Sequence, residues 1–127
     1  MAAVTGTVHS VQTLKSDYAQ RVQIAEVLFT LAGTYVQADN GILTGVATLI
    51  QNSRRNGKTV TMAGVMPSQA ASKASDPSAF MSLKTVAIST NDVTFEVTDN
   101  RHTTEIADGV FPAQARPFGI SVAFIET

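Results

Sequence analysis

The chain has 127 residues, of which 15% are charged, with a formal net charge of −1 and no cysteine. That length holds one domain with one core. Disulfide frameworks, thiol nucleophiles and cysteine-rich zinc sites are excluded, and the charge balance lacks the basic excess of a dedicated nucleic-acid binder.

Val, Ile, Leu and Phe supply 33 residues, enough apolar surface for a folded domain. Val, Ile and Thr supply 37, and β-branched side chains fit pleated surfaces better than helices. The composition therefore points to sheet. Ser and Thr together number 26 and outnumber the 19 charged residues. A surface of hydroxyls and amides is cheaper to strip of water than a charged one, which suits burial in an assembly. A secreted or otherwise neutral β domain fits the same composition.

Ala3 to Leu14 alternates loosely, with Val4 and Val8 on one parity. It reads as an edge strand or an arm. Met1 to Gly6 has no basic residue and no apolar run, so no signal peptide is expected there. Tyr18 to Tyr35 fits two periods. Tyr18, Val22, Ala25, Phe29 and Ala32 share a helical face, with Asp17 as cap and Gly33 as terminator. Val27, Phe29, Leu31, Gly33 and Tyr35 share a strand face, with a parity switch near Glu26. The β-branched content favours strand. Ile24 to Gly33 is the most apolar stretch, far short of the roughly 18 residues of a membrane span. No membrane partner is expected.

Residues 39–55 read as a short helix. Leu43, Val46, Ala47 and Ile50 lie on one face, Asp39 or Asn40 can cap the start, and Arg54 and Arg55 suit the negative end of the dipole. Gly57 would supply the left-handed turn after it. A hairpin turning at Asn56-Gly57 is the rival. Lys58 to Val65 alternates as a strand. Residues 67–79, PSQAASKASDPSA, have no bulky apolar residue and read as a long polar loop, of a length at which loops tend to be functional or disordered.

Lys84 to Val97 reads as a hairpin turning at Asn91-Asp92, with Val86, Ile88, Val93, Phe95 and Val97 alternating. Thr104 to Phe111 turns at Asp108-Gly109. Pro112 and Pro117 bracket an irregular link, and Phe118, Ile120, Val122 and Phe124 close the chain as a strand. The expected fold is mainly β: one two-sheet β-sandwich or jelly-roll-like domain with one short helix. Phe29, Leu31, Val60, Val86, Ile88, Phe95, Val97, Phe118, Ile120, Val122 and Phe124 are its expected core.

Little chemistry is offered. His9 and His102 have no ligand spacing, and Asp99, Arg101, His102 and Glu105 read as a solvated turn more readily than as an acid–base pair. No nucleophile elbow, phosphate loop or metal motif occurs. No catalytic, cofactor-binding or metal-binding residue is nominated, and the chain is not expected to be an enzyme. Arg54, Arg55 and Lys58 form the densest charge cluster and fit either an acidic partner patch or a solvated helix end. No aromatic residue lies beside them to stack on bases, so direct nucleic-acid binding is not expected.

Gly33 to Pro67, GTYVQADNGILTGVATLIQNSRRNGKTVTMAGVMP, and the closing PFGISVAFIE, Pro117 to Glu126, resemble the decoration or cement proteins of tailed bacteriophages. The two stretches cover about a third of the chain. The resemblance implies a structural virion protein, made in the host cytoplasm, on the outer surface of an expanded capsid. It would bridge subunits of the major capsid protein and form a homo-oligomer, a dimer or trimer. Under it, the N-terminal arm and residues 67–79 lie on neighbours. Partner contacts then fall on Arg54, Arg55, Lys58, Pro67, Ser68, Lys73, Asp76 and Pro77. The alternatives are a tail or baseplate subunit and a small ligand-binding β domain.

Overall fold

The computed structural model of the chain describes residues 3–16, 22–37, 41–99 and 104–127. Strands β1 (Ala3–Ser16) and β2 (Gln23–Tyr35) pair along their length. Strand β3 (Gly41–Leu43) leads into helix α1 (Val46–Arg54). Strands β4 (Val60–Gln69), β5 (Ala71–Lys73), β6 (Phe80–Ser89) and β7 (Asp92–Asp99) follow. Short strands β8 (Thr104–Glu105), β9 (Gly109–Val110) and β10 (Gln114–Arg116) precede the closing strand β11 (Phe118–Glu126). The first sheet has the order β1-β2-β11-β4, with β9 also beside β2. The second has the order β10-β5-β6-β7-β3, with β8 also beside β7. The fold is the expected mainly β, two-sheet sandwich with one short helix.

The core lies between the sheets and follows the period of two. Ala25, Val27, Phe29 and Leu31 of β2 point inward, as do Phe118, Ile120, Val122 and Phe124 of β11. Leu83, Val93, Phe95 and Val97 oppose them. Phe29 links the layers, with its ring 6.0 Å from Phe95 and 5.8 Å from Phe118. Gly41 is required here, because a Cβ on it would stand 2.5 Å from the Phe95 ring.

Two expected core residues, Val86 and Ile88, are only partly buried. A bulge after Lys84, with Thr85 at φ 54°, interrupts the β6–β7 register until Ala87. Tyr35, Leu43, Val46, Ile50 and Met81 complete the core instead. The β6–β7 turn is at Thr90 and Asn91, one residue earlier than expected, and Asp92 opens β7.

The ambiguous 18–35 segment is a strand over its described part, and Tyr18 lies outside the described residues. The helix is shorter than the expected 39–55. Gly41 to Leu43 pairs with β7, and Asp39 and Asn40 lie outside the described residues. The left-handed Gly45, φ 69°, separates strand from helix. At the other end Arg55, not Gly57, takes the first left-handed position, φ 52°, and its amide donates to the Gln51 carbonyl.

Residues 67–79 are not one loop. Pro67 to Gln69 finish β4, Ala71 to Lys73 form β5, and only 74–79 are turn. The chain crosses here from the first sheet to the second, and the small side chain of Ala71 is wholly buried at the crossing. Pro67 is tolerated because β4 is an edge strand. Deleting 67–79 would remove β5 and with it a neighbour of β6, so this segment is not removable. The N-terminal segment is an edge strand laid on β2, not a free arm.

Candidate docking face

The basic cluster sits where α1 meets the ends of β4 and β11. Arg54 grips the Glu126 carboxylate from Nη2 at 3.1 Å and from Nε at 3.2 Å. Asn56 donates to the same carboxylate at 2.7 Å, and the Gln23 amide makes a further bond to it. The Glu126 side chain is only 5% exposed. The Arg54 guanidinium, then the Asn56 and Gln23 amides, hold its carboxyl down to about 2 against the opposing effect of burial. Arg54 thus fastens the helix to β11. Arg55 and Lys58 remain exposed, and the Lys58 amide is held by the Asn56 side chain.

The other expected contact residues lie at the far end of β4, seven residues or roughly 23 Å from Val60 at about 3.3 Å per residue, and beyond it in β5 and the turn that follows. Pro67 and Ser68 are exposed, and Ser68 donates to Glu26 at 3.3 Å. Lys73 is paired with Asp99 at 2.8 Å. Asp76 accepts the hydroxyl and the amide of Ser78, which hold its carboxyl below its usual range, and Pro77 is exposed in that turn. The fold therefore does not bring the two groups together.

Between them lies a surface that the sequence reading did not single out, the outward face of the first sheet. Strand pairing sets Ile24 beside Ala123 and Ala123 beside Gly64. The next outward row is Glu26, Ser121 and Met66, and Leu28 lies beside Gly119. Thr5, Thr7, Ser10 and Gln12 of β1 extend this face. Ile24, Gly64, Val65, Met66, Ser121 and Ala123 line a shallow depression of 240 Å³. Met66 is 62% exposed. Glu26 is the one charged side chain among those described on β2, β11, β4 and β1 that point this way. The sequence signal was present in β2 and β11. Their second parity, Ile24, Leu28, Gly119, Ser121 and Ala123, is small or apolar where a solvated face would carry charge.

The remaining polar groups serve the scaffold. The Tyr35 hydroxyl donates to Glu105 at 2.5 Å and accepts the Val97 amide at 3.1 Å. Burial, followed by the Glu105 hydrogen bond, pushes its pKa well above the usual tyrosine value. Asp99 and Glu105 are thus engaged with Lys73 and Tyr35, while Arg101 and His102 lie outside the described residues. His9 meets the Thr30 hydroxyl at 2.8 Å. Among the described residues no group of His, Asp and Glu is placed to hold a metal ion. No helix among them is long and apolar enough to cross a membrane.

No protein-family model, no curated protein and no solved structure matches the chain.

Proposed function

We propose that the protein is a structural virion component that binds the outside of an assembled phage capsid and bridges its major capsid subunits. The observation that carries this reading is the outward face of the first sheet, where Glu26 is the one charged side chain among those described. Covering such a face strips water from hydroxyls, glycines and short apolar side chains, at little desolvation cost. The choice of a capsid as partner rests on the resemblance of Gly33–Pro67 and Pro117–Glu126 to phage decoration proteins and is part of the proposal. The mechanism is linkage: a protein that binds the assembled lattice and not its separated subunits stabilises the lattice by mass action.

The face itself is open to test. Met66 and Ser121 are neighbours across the β4–β11 pair, and neither is buried. The double variant Met66→Lys, Ser121→Lys places two lysines on the face, one of them beside Glu26, without touching the core. Wild-type protein should co-sediment with phage particles from the source lysate, and the double variant should not. Equal co-sedimentation of the two folded proteins would contradict the assignment of this face.

A further inference from the structure

The open edge of β1 has a chemistry of its own. The other sheet edges among the described elements are short or carry a proline. β3 and β10 have three residues each, and β4 carries Pro67 and two register shifts. β1 runs for 14 residues with register shifts after Val8 and Thr13, and its stretch before the first shift, Ala3 to Val8, has no proline, carboxylate, lysine or arginine. Long edges without such protection are templates for another strand.

The direction of the free backbone groups follows from β2. The Leu31 amide and carbonyl both bond the Gln114 side chain, on the side of β2 away from β1. The Gly33 carbonyl likewise accepts the Phe111 amide. Leu31 faces Gly6 and Gly33 faces Val4 across the β1–β2 pair. These are therefore non-hydrogen-bonded pairs, and the N–H and C=O of Val4 and Gly6 point to the open edge. Val8, two residues on and before the first register shift, points the same way. The stretch from Val4 to Val8 reads Val-Thr-Gly-Thr-Val, which is the same in both directions.

We infer that β1 pairs antiparallel with β1 of a second copy of this chain, about a twofold axis at Gly6. Gly6 then faces the partner's Gly6, and Val4 faces the partner's Val8. All three outward-directed residues fall in hydrogen-bonded pairs, for about six new backbone bonds at two per pair. Thr5 faces the partner's Thr7 on the outward surface, in the closer non-hydrogen-bonded positions. Val4 and Val8 meet on the core side, where Val8 is only half-buried in the single chain. The two first sheets become one continuous sheet with the order β4-β11-β2-β1-β1-β2-β11-β4, with each β9 still beside its β2. A palindromic strand favours a twofold partner over an unrelated one, because an isologous contact needs one surface complementary to itself. The absence of formal charge between Val4 and Thr13 removes like-charge repulsion across the axis. This inference does not depend on the capsid reading.

Sedimentation equilibrium on the full chain, over a wide concentration range, tests it together with two variants. Wild type should be a dimer. Thr5→Lys, Thr7→Lys sets lysines directly opposite one another on an exposed face and should weaken association about tenfold or more, with an unchanged circular dichroism spectrum. Thr5→Cys, Thr7→Cys places thiols about 4.5 Å apart by Cα across the axis, within disulfide reach. In this otherwise cysteine-free chain it should give a covalent dimer on oxidation. A wild-type monomer at all concentrations would overturn the inference. So would a dimer that the lysines leave intact, or a cysteine variant that stays monomeric on oxidation.

Discussion

The side-chain amide of Gln114 completes β2 at Leu31. The Leu31 amide donates to Gln114 Oε1 at 2.6 Å, and Gln114 Nε2 donates to the Leu31 carbonyl at 2.9 Å. On that side of β2 the ladder to β11 ends at Phe29, and the ladder to β9 begins at Thr34. One glutamine fills the gap with a donor and an acceptor, as a strand residue would. Unpaired backbone groups inside a fold are costly, so this is a structural joint between two strand segments.

Gln114→Ala should therefore leave two backbone groups without partners and lower unfolding stability by about 2 kcal/mol or more. Denaturant titration measures the loss. Amide exchange at Leu31 should rise more than at Val27, deeper in the same strand. A loss under about 0.5 kcal/mol, as for an ordinary surface change, would contradict the joint.

The turn between β6 and β7 caps α1 from a distance. The Gly45 amide donates to Asp92 Oδ1 at 2.9 Å, and the Thr48 amide to Asn91 Oδ1 at 3.2 Å. The Ala47 amide donates to the Asn91 carbonyl at 3.3 Å. Gly45 itself has no side chain to do this. Asn91→Ala should cost about 1 kcal/mol, comparable to loss of a local helix cap. Thermal melts of Asn91→Ala and of the exposed control Asn52→Ala separate the cap from a general surface effect.

Glu126 makes stability depend on acid pH. Its carboxyl is held down to about 2 in the fold, against an ordinary value of 4.5. The unfolded chain takes up the proton first. The stabilisation is therefore complete above about pH 4.5 and is lost as pH falls toward 2. Glu126→Gln should be less stable than wild type at pH 7, because Arg54 loses its partner. Its stability should also fall less steeply between pH 4.5 and pH 2. Denaturant midpoints measured across this range test both statements.

Phe29 joins the two sheets through Phe95 and Phe118 and is fully buried. Phe29→Ala should cost about 3–5 kcal/mol. Phe80→Ala removes a ring that is 46% exposed and should cost far less. Equal losses for the two variants would contradict the placement of the core.

Much of this architecture was legible in the residues. The alternation of Val93, Phe95 and Val97 and of Phe118 to Phe124 is the period-two signal of half-buried strands, and these are the strands that face each other. The β-branched content of 22–35 overrode a competing helical period. Legibility failed where polar or small residues form strands. Pro67 to Lys73 lacks bulky apolar side chains, yet pairing with β11 and β6 sets its conformation. The start of α1 is not legible locally because its cap comes from Asn91 and Asp92, more than 40 positions away. The basic cluster looks like free surface in the sequence, whereas Arg54 is engaged by Glu126, a pairing that sequence distance hides. The outward face of the first sheet is hard to read from sequence because its signal is a scarcity of charge on alternate residues of separate strands.

The proposed attachment to a capsid lattice predicts a stoichiometry that can be counted. Phage particles from the source lysate are banded by density, and the ratio of this chain to the major capsid protein is measured by quantitative mass spectrometry. A comparable number of copies of the two proteins is the expected result. A few copies per particle, or none, would contradict a lattice-wide role.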